Sequence, residues 1–402
     1  MTQNAFGLAL GTDGVGWHPS AERFDSESRA ADPAFWSRTA QRAEAAGFDL
    51  LTFEDQLELP NDGGHSARFD SFSLSSWLAP QTKAIGLVPA ATTATQEPFH
   101  VATATQTLDF ASNGRAGLRL RIGLLPEELA AAGREPVFTS LTEFQALTPQ
   151  EQQRAYYAGF AEGWEFAQIV RLVWDSWQDD AEIRDAATGR FLDGSRIHNP
   201  EFKGKYLSVY GASITPRSPQ GQPPVFALAH QQVPYDFAAA TSDVAFITPF
   251  GEADLAERRV GAEGASERVG RAGSALQLWP DIAVSVGTEG RSRLAELNEL
   301  HGAEFVTDTG IFAGTADELV DLVVSWHEQG LQGARLRPLV TSADLAVLAD
   351  EVLPKLRRAG VASAAPEATT LRERLGLPVA QNRFTDSAPF TADFTAAEEA
   401  IA

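Results

Sequence analysis

Apolar positions between residues 84 and 123 change period twice, and that change predicts the unit from which the chain is built. Ala84 to Ala91 is an apolar run of strand length, with Ile85, Leu87 and Val88 inside it. The polar loop Thr92, Thr93 and Thr95 follows, and Pro98 then stands where a helix tolerates proline, in its first turn. Val101, Ala104, Thr105 and Leu108 recur at helical spacing, and Asn113-Gly114 is a stop that permits a left-handed backbone. A second strand runs from Ala116 to Ile122. Strand, loop, helix and strand at this spacing form a βαβ unit, which builds parallel sheets or barrels.

The same reading gives eight strand candidates, starting near residues 6, 50, 84, 116, 225, 244, 282 and 334. Asp32-Pro33 opens a helix with the buried stripe Phe35, Trp36, Thr39, Ala40, Ala43 and Ala46, and Gly47 ends it. A long helix carries Phe160, Trp164, Ala167, Val170, Trp174 and Trp177 at three- and four-residue steps, the pattern of a core face. The expected fold is α/β, a TIM-type (β/α)8 barrel with insertions, occupying residues 1–384 as a single domain. Residues 179–222, rich in Gly, Pro and Asp, are expected as an insertion across or beside the barrel mouth. Residues 252–275 read as a solvated helical insertion, and 385–402 as a flexible tail without a buried face.

The candidate chemistry begins in the fourth strand, where Leu118, Leu120 and Ile122 alternate with Arg119 and Arg121. Strand side chains alternate between faces, so helices would cover the aliphatics and the arginines would point into the barrel. Buried charge needs a counter-charge, which is either acids on neighbouring strands or an anionic ligand. Arg335 and Arg337 repeat the pattern in the eighth strand. Active sites of such barrels lie at the C-terminal strand ends. That rule gathers Asp13, Trp17, His18, Glu54, Asp55, Thr92, Thr93, Thr95, Arg119 and Arg121, then His230, Gln231, Gln232, Thr248 and Arg337. His18 and His230 are candidate general acid/base groups. Glu54 and Asp55 form either a proton-handling pair or ion pairs to Arg119 or Arg337.

Composition narrows the partners. A net charge of −22 argues against nucleic acid and anionic membranes. The chain has no cysteine, which excludes disulfides, thiolate metal sites and a cysteine nucleophile. The His and acid spacing matches no known metal motif, and no Gly-x-Ser-x-Gly marks a serine nucleophile. With no signal peptide or membrane-length apolar run, a cytoplasmic location is expected.

Several stretches carry a resemblance: AERFD, DPAFWSRTAQRAEAAGFDLLTFED, IGLVPAATTATQEPFHVATATQTLDFASNGRAG, VRLVWDSW, ITPRSPQGQPPVFALA and TLRERLGLPVAQNRF. In this order they resemble the bacterial luciferase-like flavin-dependent monooxygenases, in the branch of the nitrilotriacetate and dibenzothiophene-sulfone enzymes. The resemblance implies reduced FMN supplied by a separate flavin reductase, dioxygen activation, and a homodimer or higher oligomer. It also implies oxidation of a small substrate, heterocyclic or flavin-type as in riboflavin lyases, with C–N or C–S cleavage. Asp55, Thr92, Thr93 and Thr95 match the family's flavin site. The family's phosphate loop, Ala-Gly-x-Ser-x-x-Gly, is replaced by Ala229-His230-Gln231-Gln232-Val233-Pro234-Tyr235, and a His…Tyr pair on the long helix by Tyr156 and Phe160. The flavin contacts expected here are therefore Asp55, Thr92, Thr93, Thr95, Arg119, Arg121, His230, Gln231 and Gln232, with weak affinity for oxidised FMN. His18, Asp55 and His230 are expected in catalysis, and Trp17, Glu54 and Arg337 at the substrate. Two further readings stand beside this one, a deazaflavin-dependent hydride-transfer enzyme and a non-catalytic flavin-binding barrel.

Overall fold

Short apolar runs separated by helices give a parallel sheet only if each crossover returns the chain to the same end, and the chain does this throughout. The computed structural model of the protein describes residues 6–59, 65–136, 140–362, 370–385 and 394. Its strands are β1 (Gly7–Thr12), β2 (Leu50–Phe53), β3 (Gly86–Val88), β4 (Ala90–Thr92) and β5 (Leu118–Arg121). Two small hairpins follow, β6 (Glu182–Asp185) with β7 (Arg190–Leu192) and β8 (Phe202–Lys203) with β9 (Ser208–Val209). The sheet resumes with β10 (Val225–Ala229), β11 (Val244–Ile247), β12 (Gln277–Val286), β13 (Ile311–Gly314) and β14 (Gly333–Pro338).

The strand order is β3-β2-β1-β14-β12-β11-β10-β5-β4, every neighbouring pair being parallel. Only Pro89 separates β3 from β4, so these are two halves of one bent strand, and the sheet closes there into a barrel. Proline has no N–H to give the ladder, yet its carbonyl accepts from the Arg119 amide at 2.9 Å, bridging the break. All eight strands read from the sequence are present. The additional strand, β13, pairs only with the end of β12.

The interior is layered along the barrel axis. Leu371, Leu375 and Leu377 plug the N-terminal end against Val88, Leu50 and Val244. Above them Phe226 and Phe246 stack at 5.6 Å, with Trp279 edge-on to both. Trp279 fits because Gly7 and Gly333 flank it, where an added Cβ would lie 2.4 and 2.3 Å from its ring. The next layer up is charged. Outside the strands, aliphatics such as Leu118, Leu120, Ala334 and Leu336 pack under the helices, as their alternation predicts.

Residues 179–222 correct one expectation, since none of them lines the mouth cavity. They pack instead onto the helices Pro98–Ala111 and Pro149–Asp175. The reason is local: the Glu165 carboxylate accepts the amides of Lys205, Tyr206 and Leu207 at 2.6–2.8 Å, and Trp177 Nε1 donates to the Ser213 carbonyl at 2.8 Å. The 252–275 segment supplies the helix Glu252–Arg268 between β11 and β12, with Leu255, Ala262 and Ala265 buried.

The tail needs correcting too. Phe394 is fully buried, stacked on Tyr157 at 4.9 Å and edge-on to Phe237 at 6.3 Å. Its carbonyl accepts from the Tyr157 hydroxyl at 3.0 Å. An aromatic ring finding this much apolar surface is held by burial rather than by local propensity. Residues 386–393, with Phe390 among them, and 395–402 lie outside the described residues. Phe394→Ala is expected to destabilise the protein by about 3 kcal/mol in chemical denaturation, as large-to-small core changes do. A midpoint unchanged from wild type would show that the tail is not part of the core.

Candidate active site

At the C-terminal ends of the strands a cavity of about 400 Å³ opens, with two unlike walls. One is apolar and aromatic, including Leu124, Tyr156, Phe160, Pro234 and Phe237. Phe160 meets Tyr156 at 4.9 Å and Phe237 at 5.4 Å, so this wall is a packed aromatic cluster on two helices. Burial pushes the Tyr156 phenol up to about 12, so it stays protonated, a neutral hydroxyl, at working pH.

The other wall is built on a linear alternation of six charged side chains, of which all but the deeper Asp281 line the cavity. Arg119 donates to Glu54, and Glu54 accepts from Arg335 at 2.6 Å. Arg335 donates to Asp281 at 3.0 Å, Asp281 accepts from Arg337 at 2.7 Å, and Arg337 donates to Asp308 at 2.6 Å. Arg335 also donates to Thr52 at 2.8 Å. The guanidiniums of Arg335 and Arg337 lie over the Trp17 ring, at 5.3 and 4.5 Å from its centre. Gly11 makes room for this, because a Cβ there would sit 2.9 Å from Arg335 Nε.

Electrostatics follow from this geometry. Burial alone would raise the Glu54 carboxyl, but Arg119, Arg335 and Arg337 outweigh it and hold the group well below the usual carboxylate range. Burial works against the charged Arg337, yet Asp281 and Asp308 more than compensate, raising its pKa. Three cations and three anions therefore neutralise one another. Arg121 stands apart, paired with Glu128 at 2.6 Å and donating to Thr92 at 3.1 Å. The arginines thus follow the ion-pair alternative rather than standing ready for an anion. Among residues that line this cavity, two buried polar atoms have no hydrogen-bond partner among the described residues, Arg119 Nε and His230 Nδ1. Burial lowers the His230 pKa, so its imidazole is neutral at pH 7.

Of the residues predicted from sequence, Trp17, Glu54, Arg119, Arg121, His230 and Arg337 come together around the cavity. His18 does not. It is buried beside Phe305 and His301, its Nδ1 accepts from the Ser20 amide at 3.0 Å, and its Nε2 lies 3.1 Å from Asn298 Oδ1. Asp55 turns away to accept the Ser71 amide at 3.0 Å, and burial raises its pKa. Thr93 and Thr95 bond the carbonyls of Ile122 and Thr92. Gln231 and Gln232 are exposed and off the cavity wall. Sequence reasoning missed Asp281 and Asp308. A lone acid inside the apolar strand Gln277–Val286 is the signal that marks Asp281.

The profile of the luciferase-like monooxygenases matches residues 12–306. The chain belongs to that family. Luciferase-like monooxygenases are flavin-dependent enzymes, and relatives share this chain along most of its length. It is 28% identical to N-acetyl-S-(2-succino)cysteine monooxygenase of Bacillus subtilis (strain 168), over 96% of this chain and all of that protein. It is 27% identical to nitrilotriacetate monooxygenase component A of Aminobacter aminovorans, over 72% of this chain and 64% of that protein. A riboflavin lyase crystal structure with modified FMN and riboflavin superposes with TM-score 0.79 at 21% identity, covering 93% of this chain and 96% of that one.

The luciferase-like cavity fits a flavin ring better than it fits a flavin phosphate. Its volume and its aromatic wall suit a planar tricycle, and Arg119 and His230 line it with side chains able to hydrogen-bond that ring's polar edge. Of the replaced phosphate loop, Pro234 brings no N–H to the first turn of the helix Gln232–Thr241, and Gln231 makes no side-chain cap. Among the described residues no helix is long and apolar enough to cross a membrane, and no cluster of His and acids could hold a metal.

Removing Glu54 leaves two buried guanidiniums short of charge. Glu54→Gln is expected to cost about 3 kcal/mol at pH 7. Because the folded-state pKa of Glu54 is depressed, its contribution is present above about pH 4.3 and fades as pH falls below that value. Denaturant curves should therefore show wild type and variant converging in acid. A constant gap from pH 7 to pH 3 would count against the network.

Proposed function

We propose that the protein is the oxygenase component of a two-component system, using reduced FMN delivered by a separate flavin reductase, together with dioxygen, to oxidise a small substrate. The observation that carries this reading is the mouth cavity, in which an aromatic wall faces a self-neutralised charged wall with two unpartnered polar atoms. When bound, reduced flavin supplies the activation of dioxygen. Arg119 Nε and His230 Nδ1 would meet the polar edge of its ring, while Tyr156, Phe160 and Phe237 would hold its face and exclude water. Weak retention of the cofactor suits a partner that delivers it reduced, and the missing phosphate donors favour that arrangement.

The internal pairing of the arginines bears on the substrate. A wall with no surplus positive charge favours an uncharged or weakly charged substrate, with C–S or C–N cleavage the outcome. Relatives named for dimethyl sulfide and dibenzothiophene sulfone fit this better than one named for nitrilotriacetate. A homodimer in the cytoplasm completes the proposal.

The test couples purified protein to an NADH-driven FMN reductase and follows dioxygen uptake and products by mass spectrometry. Candidates are dibenzothiophene sulfone, dimethyl sulfide, riboflavin, N-acetyl-S-(2-succino)cysteine and nitrilotriacetate. Substrate-dependent uptake with FMN is expected. Reduction of substrate by a reduced deazaflavin without oxygen would replace this reading, and turnover of nitrilotriacetate alone would overturn the charge argument. His230→Gln is expected to lower kcat by about a hundredfold, the lower end of acid–base contributions. In wild type the acidic limb of the pH profile should lie below the ordinary histidine value of about 6.5, where the imidazole becomes protonated. Unchanged kcat would remove His230 from the chemistry.

A further inference from the structure

Four guanidiniums line the mouth cavity, and Arg121 is the one most open to solvent. Its side chain is 16% exposed, against 4% for Arg119, 2% for Arg337 and 0% for Arg335. A charged group trailing toward solvent from a ring held in the cavity would therefore meet Arg121 before the others. That position is already taken. Glu128, buried on the helix Pro126–Ala131, accepts from Arg121 Nη1 through both carboxylate oxygens, at 2.6 and 2.7 Å. The same nitrogen donates to Thr92 Oγ1 at 3.1 Å, and Glu128 also accepts the Leu57 amide at 3.3 Å. Gly123 makes the turn between the two partners at φ +70°, where a Cβ would lie 2.2 Å from Thr92 Cγ2.

The other three guanidiniums are engaged likewise, by Glu54, Asp281 and Asp308. Four cations thus meet four carboxylates around the mouth, and burial keeps His230 neutral. A phosphate dianion entering here finds no surplus positive charge, in a chain whose net charge is −22. An uncharged polyol side chain meets no such repulsion, and a paired guanidinium can still donate to its hydroxyls.

We propose, resting on the reading of the mouth as a flavin site, that Glu128 determines which flavin is taken: by holding Arg121 it denies the flavin phosphate a partner, so that unphosphorylated flavin binds at least as well as FMN and serves as cofactor. A reductase delivering reduced riboflavin would then serve this oxygenase as well as one delivering reduced FMN.

The test is titration of the full chain with oxidised riboflavin and oxidised FMN, read by flavin fluorescence in low and high sodium chloride. In wild type the riboflavin dissociation constant should equal or lie below that of FMN. Salt should leave FMN binding unchanged or tighten it, because it screens repulsion. A charge-assisted bond from a freed guanidinium to phosphate is a gain of about tenfold or more. Glu128→Gln keeps the side chain's shape and frees that charge, so FMN should gain about tenfold over riboflavin and become salt-sensitive. Arg121→Gln should leave the ratio of the two constants as in wild type, and with the wild-type titration it decides the matter if Glu128→Gln does not fold. FMN tighter than riboflavin by about tenfold in wild type, loss of an FMN preference in Arg121→Gln, or an unchanged ratio in folded Glu128→Gln would overturn the role of Glu128. Binding of neither flavin would overturn the flavin reading of the mouth and this role with it. Photoreduced riboflavin, reoxidised in air with the protein, should be recovered intact by chromatography; a cleaved ring would make it a substrate and overturn its role as cofactor.

Discussion

The alternation Arg119–Glu54–Arg335–Asp281–Arg337–Asp308 is the constraint around which the barrel interior is arranged. Taking six charges out of water is costly, and the cost is offset only if each finds its opposite at hydrogen-bonding distance. That requirement reaches into four strands and two loops. β5 and β14 must face their arginines inward, β12 must carry an acid among apolar neighbours, Glu54 must leave the end of β2, and β1 must have glycine at position 11. Beneath this layer Phe246 presents its ring to Arg335 at 5.1 Å. The aromatic stack therefore serves as both core and counter-surface, which apolar packing alone would not require.

The same alternation shapes what the mouth can do. A lone arginine in a cavity attracts any anion, whereas one bound to a carboxylate offers direction without net charge. Arg119 ends the series, bonded to Glu54 through Nη2 while its Nε has no partner among the described residues, and His230 stands just past the next strand with its Nδ1 unpartnered. These are fixed hydrogen-bonding positions left open beside the paired charges. Across from them the wall is aromatic, and Phe394 supports it from behind through Phe237. The two walls come from different sources, the charged one from strand ends and the aromatic one from helices with the chain's last described residue behind them.

At the other end of the barrel, arginine is used differently. Arg115 donates to the carbonyls of Ser112, Ile85, Ala79 and Thr82, and Arg374 to those of Asp49 and Ala84. Guanidiniums here act as clasps on the turns entering the strands, where unpaired carbonyls would otherwise be buried.

What the sequence determined by itself was periodic. Apolar runs of strand length, helical stripes with proline at their first turn and glycine at their end, and the inward alternation of Arg119, Arg335 and Arg337 are all local patterns. Local patterns repeat because backbone geometry does, so eight strands and the barrel were legible without coordinates. The stretches shared with luciferase-like monooxygenases were legible for the same reason, as contiguous motifs. What only the tertiary structure decided was pairing. Asp281 lies more than 50 residues before Arg335 and Arg337, and nothing near it in the chain announces them. His18 and Asp55 follow strand ends like true mouth residues, but Asn298, Ser20 and Ser71 claim them first. Phe394 sits in an acidic, aperiodic tail, and only the groove beside Tyr157, 237 positions earlier, gives its ring somewhere to go. Such choices depend on which groups meet once the barrel has closed, and a hydrogen bond or a buried ring pays no regard to distance along the chain.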